Sequence, residues 1–135
     1  MNNLQKKQLQ LLNETIAYYS ENPTERRCVA KSGGCFYSPK SAGKPNSEGC
    51  AIGRLLSPNK KEQLDNEDSA DTSVDFMFDY LPKKVQSHGK QFLSALQQLH
   101  DGGEDNGLKY WSEKGLTEDG LKKVQEIKDL FNLVE

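Results

Sequence analysis

No apolar run in this 135-residue chain is longer than four residues, so no segment of it can cross a bilayer as a helix. The amino terminus, MNNLQKKQLQ, also lacks the basic-then-apolar order of a secretion signal, and the expectation is a cytosolic protein. Charge of one sign is missing as well. Lys and Arg total 18 against 20 Asp and Glu, for a formal net charge of -2, which gives no global attraction to a nucleic-acid backbone or an anionic membrane. General nucleic-acid binding and membrane partners are therefore excluded as expectations, while a local basic pocket stays open. Cysteine is scarce. Cys28, Cys35 and Cys50 form no C-x-x-C knuckle and the two histidines lie far downstream, so reduced thiols are expected and neither metal nor cofactor is. Phosphate-loop, zinc-protease and nucleophile-elbow motifs are absent.

Hydrophobic residues make up only 34% of the chain and 28% are charged. That suffices for one modest core if the apolar residues are concentrated on faces, and the length accommodates a single domain over residues 1–135. Residues 3–20 place Leu4, Leu9, Leu11, Leu12, Ile16, Tyr18 and Tyr19 on one half of a helical wheel, a width that predicts more than one packing neighbour. Asn22-Pro23 stops that helix. The stretch from 22 to 49 is rich in glycine and proline, and Gly34-Cys35-Phe36-Tyr37-Ser38 within it suits a short strand.

Further helices are expected at Ala51–Leu56, from Ser57-Pro58 to Asp65, from Thr72 or Ser73 through Leu81, and from about Pro82 to His100, where Gly102-Gly103 supplies the stop. The acidic stretch 66–71 reads as a loop. Thr117 is placed to cap a last helix with the stripe Leu121, Val124, Ile127, Leu130, Phe131 and Val134, and Leu116 is set to staple against Leu121. The predicted fold class is mainly α (α+β): one compact helical domain with a short β-hairpin or irregular insertion around residues 28–50.

Arginine carries the functional signal. Of the 18 basic residues only Arg26, Arg27 and Arg54 are arginine, and all lie in the irregular segment or in the helix that closes it. A guanidinium offers a flat fork of donors that grips phosphate or carboxylate bidentately, whereas lysine is a solvated point charge. Gly49 and Gly53 allow close approach of backbone or ligand, and Tyr37 and Lys44 belong to the same segment, Tyr37 as a ring for stacking on a base. The competing reading pairs Arg26 and Arg27 with Glu21, Glu25 or a helix carboxyl end. His100 and Asp101 are either satisfied at a helix C-terminus or point into the arginine cleft. Trp111 is a core or lid anchor, or a stacking platform.

The ordered set Asn22-Pro23, Arg26-Arg27-Cys28, Cys35-x-Tyr37, Gly49-Cys50-Ala51-Ile52-Gly53-Arg54-Leu55-Leu56, Leu96-Gln97-x-Leu99-His100-Asp101 and Trp111 resembles a family of small uncharacterised proteins encoded by bacteriophages and prophages. The resemblance covers roughly residues 10–133. It departs from the family at Ser57-Pro58-Asn59-Lys60, where an acidic, proline-containing helix start is usual. It implies a phage accessory protein of the bacterial host cytoplasm and brings no established activity.

Proteins of that kind often counter host defences, some by sequestering a nucleotide signal such as a cyclic dinucleotide or a cyclic ADP-ribose derivative. The leading expectation is accordingly a non-catalytic protein that sequesters a small phosphorylated nucleotide. Arg26, Arg27 and Arg54 would hold phosphates, Tyr37 or Trp111 would stack on the base, and Lys44, His100 and Asp101 would complete the site. A homo-oligomer formed through the broad apolar face of the first helix is expected to frame such pockets. The alternatives are a protein–protein inhibitor of a host defence or regulatory protein, with the acidic loop as contact, and a hydrolase of a nucleotide signal that uses His100 and Asp101.

Overall fold

The computed structural model describes residues 1–27, 47–65, 74–102 and 109–134. The first helix, α1 (Asn3–Glu21), starts on a capping box: the Asn2 side chain accepts from the Gln5 N–H, and the Gln5 amide oxygen accepts from the Asn2 N–H, both at 2.8 Å. Two otherwise unpaired donors are thereby satisfied. Leu9, Leu11, Leu12 and Tyr19 are buried along α1, with Gln8 and Thr15 among them. Their polar atoms are matched locally, Thr15 Oγ1 donating to the Leu11 carbonyl and Gln8 Nε2 to the His88 carbonyl. The wide apolar face meets several neighbours inside the chain, as its breadth predicts, and only Leu4 stays exposed. Ile16 and Tyr18 sit half-buried against the core.

Asn22 ends α1 and caps the short α2 (Pro23–Arg26), accepting from the Glu25 N–H at 3.2 Å with proline in the first turn. Tyr37 and Lys44, with Cys28, Cys35 and most of the insertion expected around 28–50, lie outside the described residues, as does the acidic stretch 66–71. Cys50, Ala51 and Ile52 are buried. The apolar spacing there produces a 3-10 turn over Gly53–Leu55 instead of an α-helix. Next come α3 (Pro58–Asp65), capped at Ser57 as expected, and α4 (Val74–Met77), which runs into a 3-10 turn at Phe78–Tyr80.

The helix expected over Pro82–His100 is two. Gly89, at φ 94°, separates α5 (Lys83–Gln86) from α6 (Lys90–Asp101), because that backbone conformation cannot belong to a continuous right-handed helix. On α6, Phe92, Leu93, Leu96 and Leu99 are fully buried, each contributing about 1.5–3 kcal/mol of transfer free energy. The helix stops at Gly102 as its sequence predicts.

A two-stranded antiparallel hairpin follows, β1 (Trp111–Ser112) and β2 (Gly115–Leu116), with Trp111 opposite Leu116. The last helix, α7 (Glu118–Leu130), is capped by Thr117, whose side chain accepts from the Gly120 N–H at 3.1 Å. Val124 and Ile127 are buried, but Leu121, Leu130 and Val134 are exposed, so the expected stripe is narrower than its sequence and no staple is buried at Leu121. The turn after α7 buries Leu133 in its place. Gly120 is the contact point with the hairpin: a Cβ there would overlap the Tyr110 carbonyl oxygen and come within 2.8 Å of Leu116 Cδ2.

The result is a mainly α fold with one small hairpin among the described residues, in which the buried side chains of α1, α4, α6, α7 and β1 form one core. Among the described residues no helix is long and apolar enough to cross a membrane.

Candidate functional site

The three arginines separate into two environments. Arg26 and Arg54 converge on one ring, Tyr18. The Arg26 guanidinium carbon stands 4.6 Å from the ring centroid and that of Arg54 stands 5.6 Å from it, both within cation–π range. Arg26 reaches this position from α2, its Nη1 donating to the Tyr18 carbonyl at 3.0 Å and to Glu21 Oε2 at 3.1 Å. Arg54 arrives from the 3-10 turn after Cys50, which is fixed by the Arg54 N–H to the Cys50 carbonyl and the Gly53 N–H to Cys50 Sγ.

The Tyr18 hydroxyl accepts from the Glu48 N–H at 2.8 Å, and the Glu48 carbonyl accepts from Lys61 Nζ at 2.6 Å. Burial, the largest influence, raises the Tyr18 pKa above 10.0 against the opposing effects of the Glu48 N–H bond and Arg26, so the phenol stays neutral at physiological pH. The unusual member of this cluster is Arg54. Among the described residues its buried Nε and Nη2 have no hydrogen-bond partner, and the guanidinium lies against the Tyr18 ring. Buried donors left unpaired are costly, and a charge-assisted partner removes that cost.

Arg27 points elsewhere and is almost enclosed, 8% exposed. Its Nε donates to the His100 carbonyl at 2.9 Å and its Nη2 to the Asp101 carbonyl at 3.1 Å, while the guanidinium sits 5.9 Å from the Trp111 ring. Those carbonyls belong to the last residues of α6, where a helix has no intrahelical donors left and its dipole favours a cation. The fork of Arg27 thus closes a helix end.

His100 has no solvent exposure, its Nδ1 lies 3.0 Å from Asp101 Oδ1, and its ring packs edge-on against Tyr19 with centroids 4.9 Å apart. Burial first, then the Arg27 charge, lower the His100 pKa below 6.5, and Asp101 opposes this; the imidazole is neutral at pH 7. Trp111 is likewise enclosed, with Nε1 donating to the Leu99 carbonyl at 2.7 Å. Asp101 alone of this group is part-exposed, its Oδ1 also accepting from Gln97 Nε2 at 2.9 Å. Arg27, His100 and Trp111 are therefore occupied by the core, and a ligand has no surface of His100 or Trp111 to touch.

Of the residues named from sequence, the structure brings together Arg26 and Arg54 and separates Arg27, His100, Asp101 and Trp111 from them. The ring that both guanidinium groups approach, Tyr18, belongs by periodicity to the apolar half of α1. The signal for its second role is the Tyr18-Tyr19 pair itself: adjacent helical residues point about 100° apart, so with Tyr19 fully buried its neighbour must lie at the edge of the stripe. Ser47 carries no signal in the sequence; its hydroxyl donates to the Arg26 carbonyl at 2.5 Å and accepts from the Gly49 N–H at 3.0 Å, tying the end of α2 to the turn that carries Arg54. Of the motifs behind the phage resemblance, Cys50-Ala51-Ile52-Gly53 and Leu96, Leu99 and His100 are core, and Arg54 is the member with unmatched chemistry. No family model, no curated protein and no solved structure matches the chain.

Proposed function

We propose that this chain is a phage accessory protein of the bacterial cytoplasm that binds and sequesters a small phosphorylated nucleotide signal without transforming it. The observation that supports this reading is the Arg54 guanidinium, with two buried donors and no partner among the described residues, set on the same ring as Arg26. Two guanidinium groups near one aromatic ring are the kind of donor set that grips a phosphoryl group beside a base. Sequestration fits better than hydrolysis because the histidine of the His100-Asp101 pair is enclosed and cannot reach a substrate as a general base. The phage and anti-defence setting comes from the ordered motifs.

The test is native mass spectrometry of protein purified from bacteria, before and after addition of cyclic dinucleotides and cyclic ADP-ribose derivatives. A mass increment of one such nucleotide, absent from Arg54→Gln, is the expected result. Uniformly bare protein across the panel refutes the reading.

A second reading, a protein–protein inhibitor of a host protein, draws on the outer face of α7. Leu130 is 68% exposed there beside Lys122, Gln125, Glu126 and Asp129 around a shallow depression of about 570 Å³. A stoichiometric protein retained with no small molecule would favour it.

A further inference from the structure

Lys7, Gln10, Leu11 and Glu14 recur at the spacing of one face of α1, and Leu55, Lys84 and His88 stand across from them, enclosing a cleft of about 340 Å³. The volume is that of a small-metabolite site. Its chemistry is divided. Lys7, Lys84 and His88 bring two ammonium groups and an imidazole; Gln10 and Glu14 bring an amide and a carboxylate; Leu11 and Leu55 form an apolar floor.

The basic end is positioned from its surroundings. Lys7 Nζ donates to Ser87 Oγ at 2.8 Å, which holds the ammonium beside the residue preceding His88, and the His88 carbonyl accepts from the buried Gln8. His88 Nδ1 is buried with no hydrogen-bond partner among the described residues. At the other end Gln10 Nε2 donates to Glu14 Oε1 at 3.0 Å, an arrangement that leaves carboxylate lone pairs for hydroxyl donors.

We propose that this cleft is a phosphoryl subsite, in which Lys7, Lys84 and His88 hold a phosphate while Gln10 and Glu14 take hydroxyl groups of the sugar it is attached to. Two lysines and a titratable imidazole match a dianion, and the single carboxylate is placed at the far end of the α1 face from Lys7. The same face of α1 continues to Tyr18, one turn beyond Glu14, and Leu55 follows Arg54 directly, so cleft and arginine cluster lie end to end. A ligand with phosphoryl groups at both ends, of the dinucleotide class, fills both; this last step rests on the nucleotide reading above.

The test uses the two histidines as reporters. Imidazole resonances are followed by NMR between pH 5 and 8 in sodium phosphate and in sodium chloride of matched ionic strength. In chloride, burial and Lys7 hold the His88 midpoint below 6.5 against Glu14. Phosphate in the cleft favours the imidazolium and moves that midpoint up by about 1 pH unit, with the enclosed His100 unchanged. The shift is lost in the double variant K7Q/K84Q, both surface lysines, and retained in Arg54→Gln. Equal midpoints in the two salts, or a shift that survives K7Q/K84Q, overturns the proposal. Should Arg54→Gln leave nucleotide binding intact while His88 still responds to phosphate, the nucleotide reading of the arginine cluster fails and the cleft stands.

Discussion

Replacing Arg54 by methionine is expected to make the ligand-free protein more stable. Two donors of this guanidinium are buried without partners among the described residues, and the contact that offsets them is the Tyr18 ring at 5.6 Å. Each unsatisfied buried donor costs about 1–3 kcal/mol, whereas a cation–π contact returns about 0.5–2 kcal/mol. Methionine keeps the stem's length and packs on the aromatic ring without a polar group. The net expectation is a gain of about 1 kcal/mol, or roughly 4 °C in Tm for a domain of this size. Urea unfolding followed by the fluorescence of Trp111, the chain's single tryptophan and fully enclosed, reads this directly. A loss of about 1 kcal/mol or more would mean that Arg54 is satisfied in the folded protein and does not await a ligand.

Arg27 should behave in the opposite way. Arg27→Lys keeps the charge but not the fork that reaches the His100 and Asp101 carbonyls at once, and a loss of about 2 kcal/mol in the same unfolding assay is expected; wild-type stability would contradict its role at the helix end. Gly120→Ala places a methyl group against the Tyr110 carbonyl and should cost about 2 kcal/mol or more, whereas an unchanged denaturation midpoint would show that helix and hairpin can move apart. Stability should also fall on acidification below pH 6.5. The folded His100 has a lowered pKa, so the unfolded chain takes up its proton first, and the stability present above 6.5 is lost as pH drops through the folded value. His88 acts with the same sign. Urea midpoints at pH 7.5 and 5.0 measure the difference, which His100→Gln should reduce; a flat profile would contradict it.

The parts of the fold legible in the sequence are those specified locally. Thr117 with Glu118 and Asp119, and Ser57-Pro58, mark helix starts through side-chain chemistry a few residues away, and each is where the structure begins a helix. Asn22-Pro23 stops α1 as its sequence predicts, while the short α2 that Asn22 also caps has no apolar periodicity to announce it. The apolar spacing of α6 likewise survives intact in the core, and that of α1 does so at Leu9, Leu11, Leu12 and Tyr19. The break at Gly89 was hidden because a lone glycine between Val85 and Phe92 does not interrupt the apolar periodicity on either side. Trp111-Ser112 and Gly115-Leu116 are too short to show a period of two, and what fixes them is contact with α1, α2 and α7.

The candidate site was half legible. The scarcity of arginine draws attention to three side chains, of which Arg26 and Arg27 are hydrogen-bonded and Arg54 has two buried donors without a partner among the described residues. Which donors serve a helix end and which stay unmatched depends on partners far along the chain: Arg27 meets carbonyls 73 and 74 positions away. Exposure at Leu121, Leu130 and Val134 has the same origin, since a stripe on a wheel does not say how much of it a neighbouring helix covers.

A phosphorylated nucleotide held by Arg54 and Arg26 on Tyr18, as proposed, is detectable by its heat of binding. Isothermal titration calorimetry of the wild-type protein and Arg54→Gln, against the cyclic dinucleotide and cyclic ADP-ribose panel, tests it most directly. Saturable heat is expected with at least one nucleotide, with affinity weakened about 10- to 100-fold in the variant, the worth of one charge-assisted partner. Equal affinities in the two proteins, or no heat from any nucleotide, would contradict it.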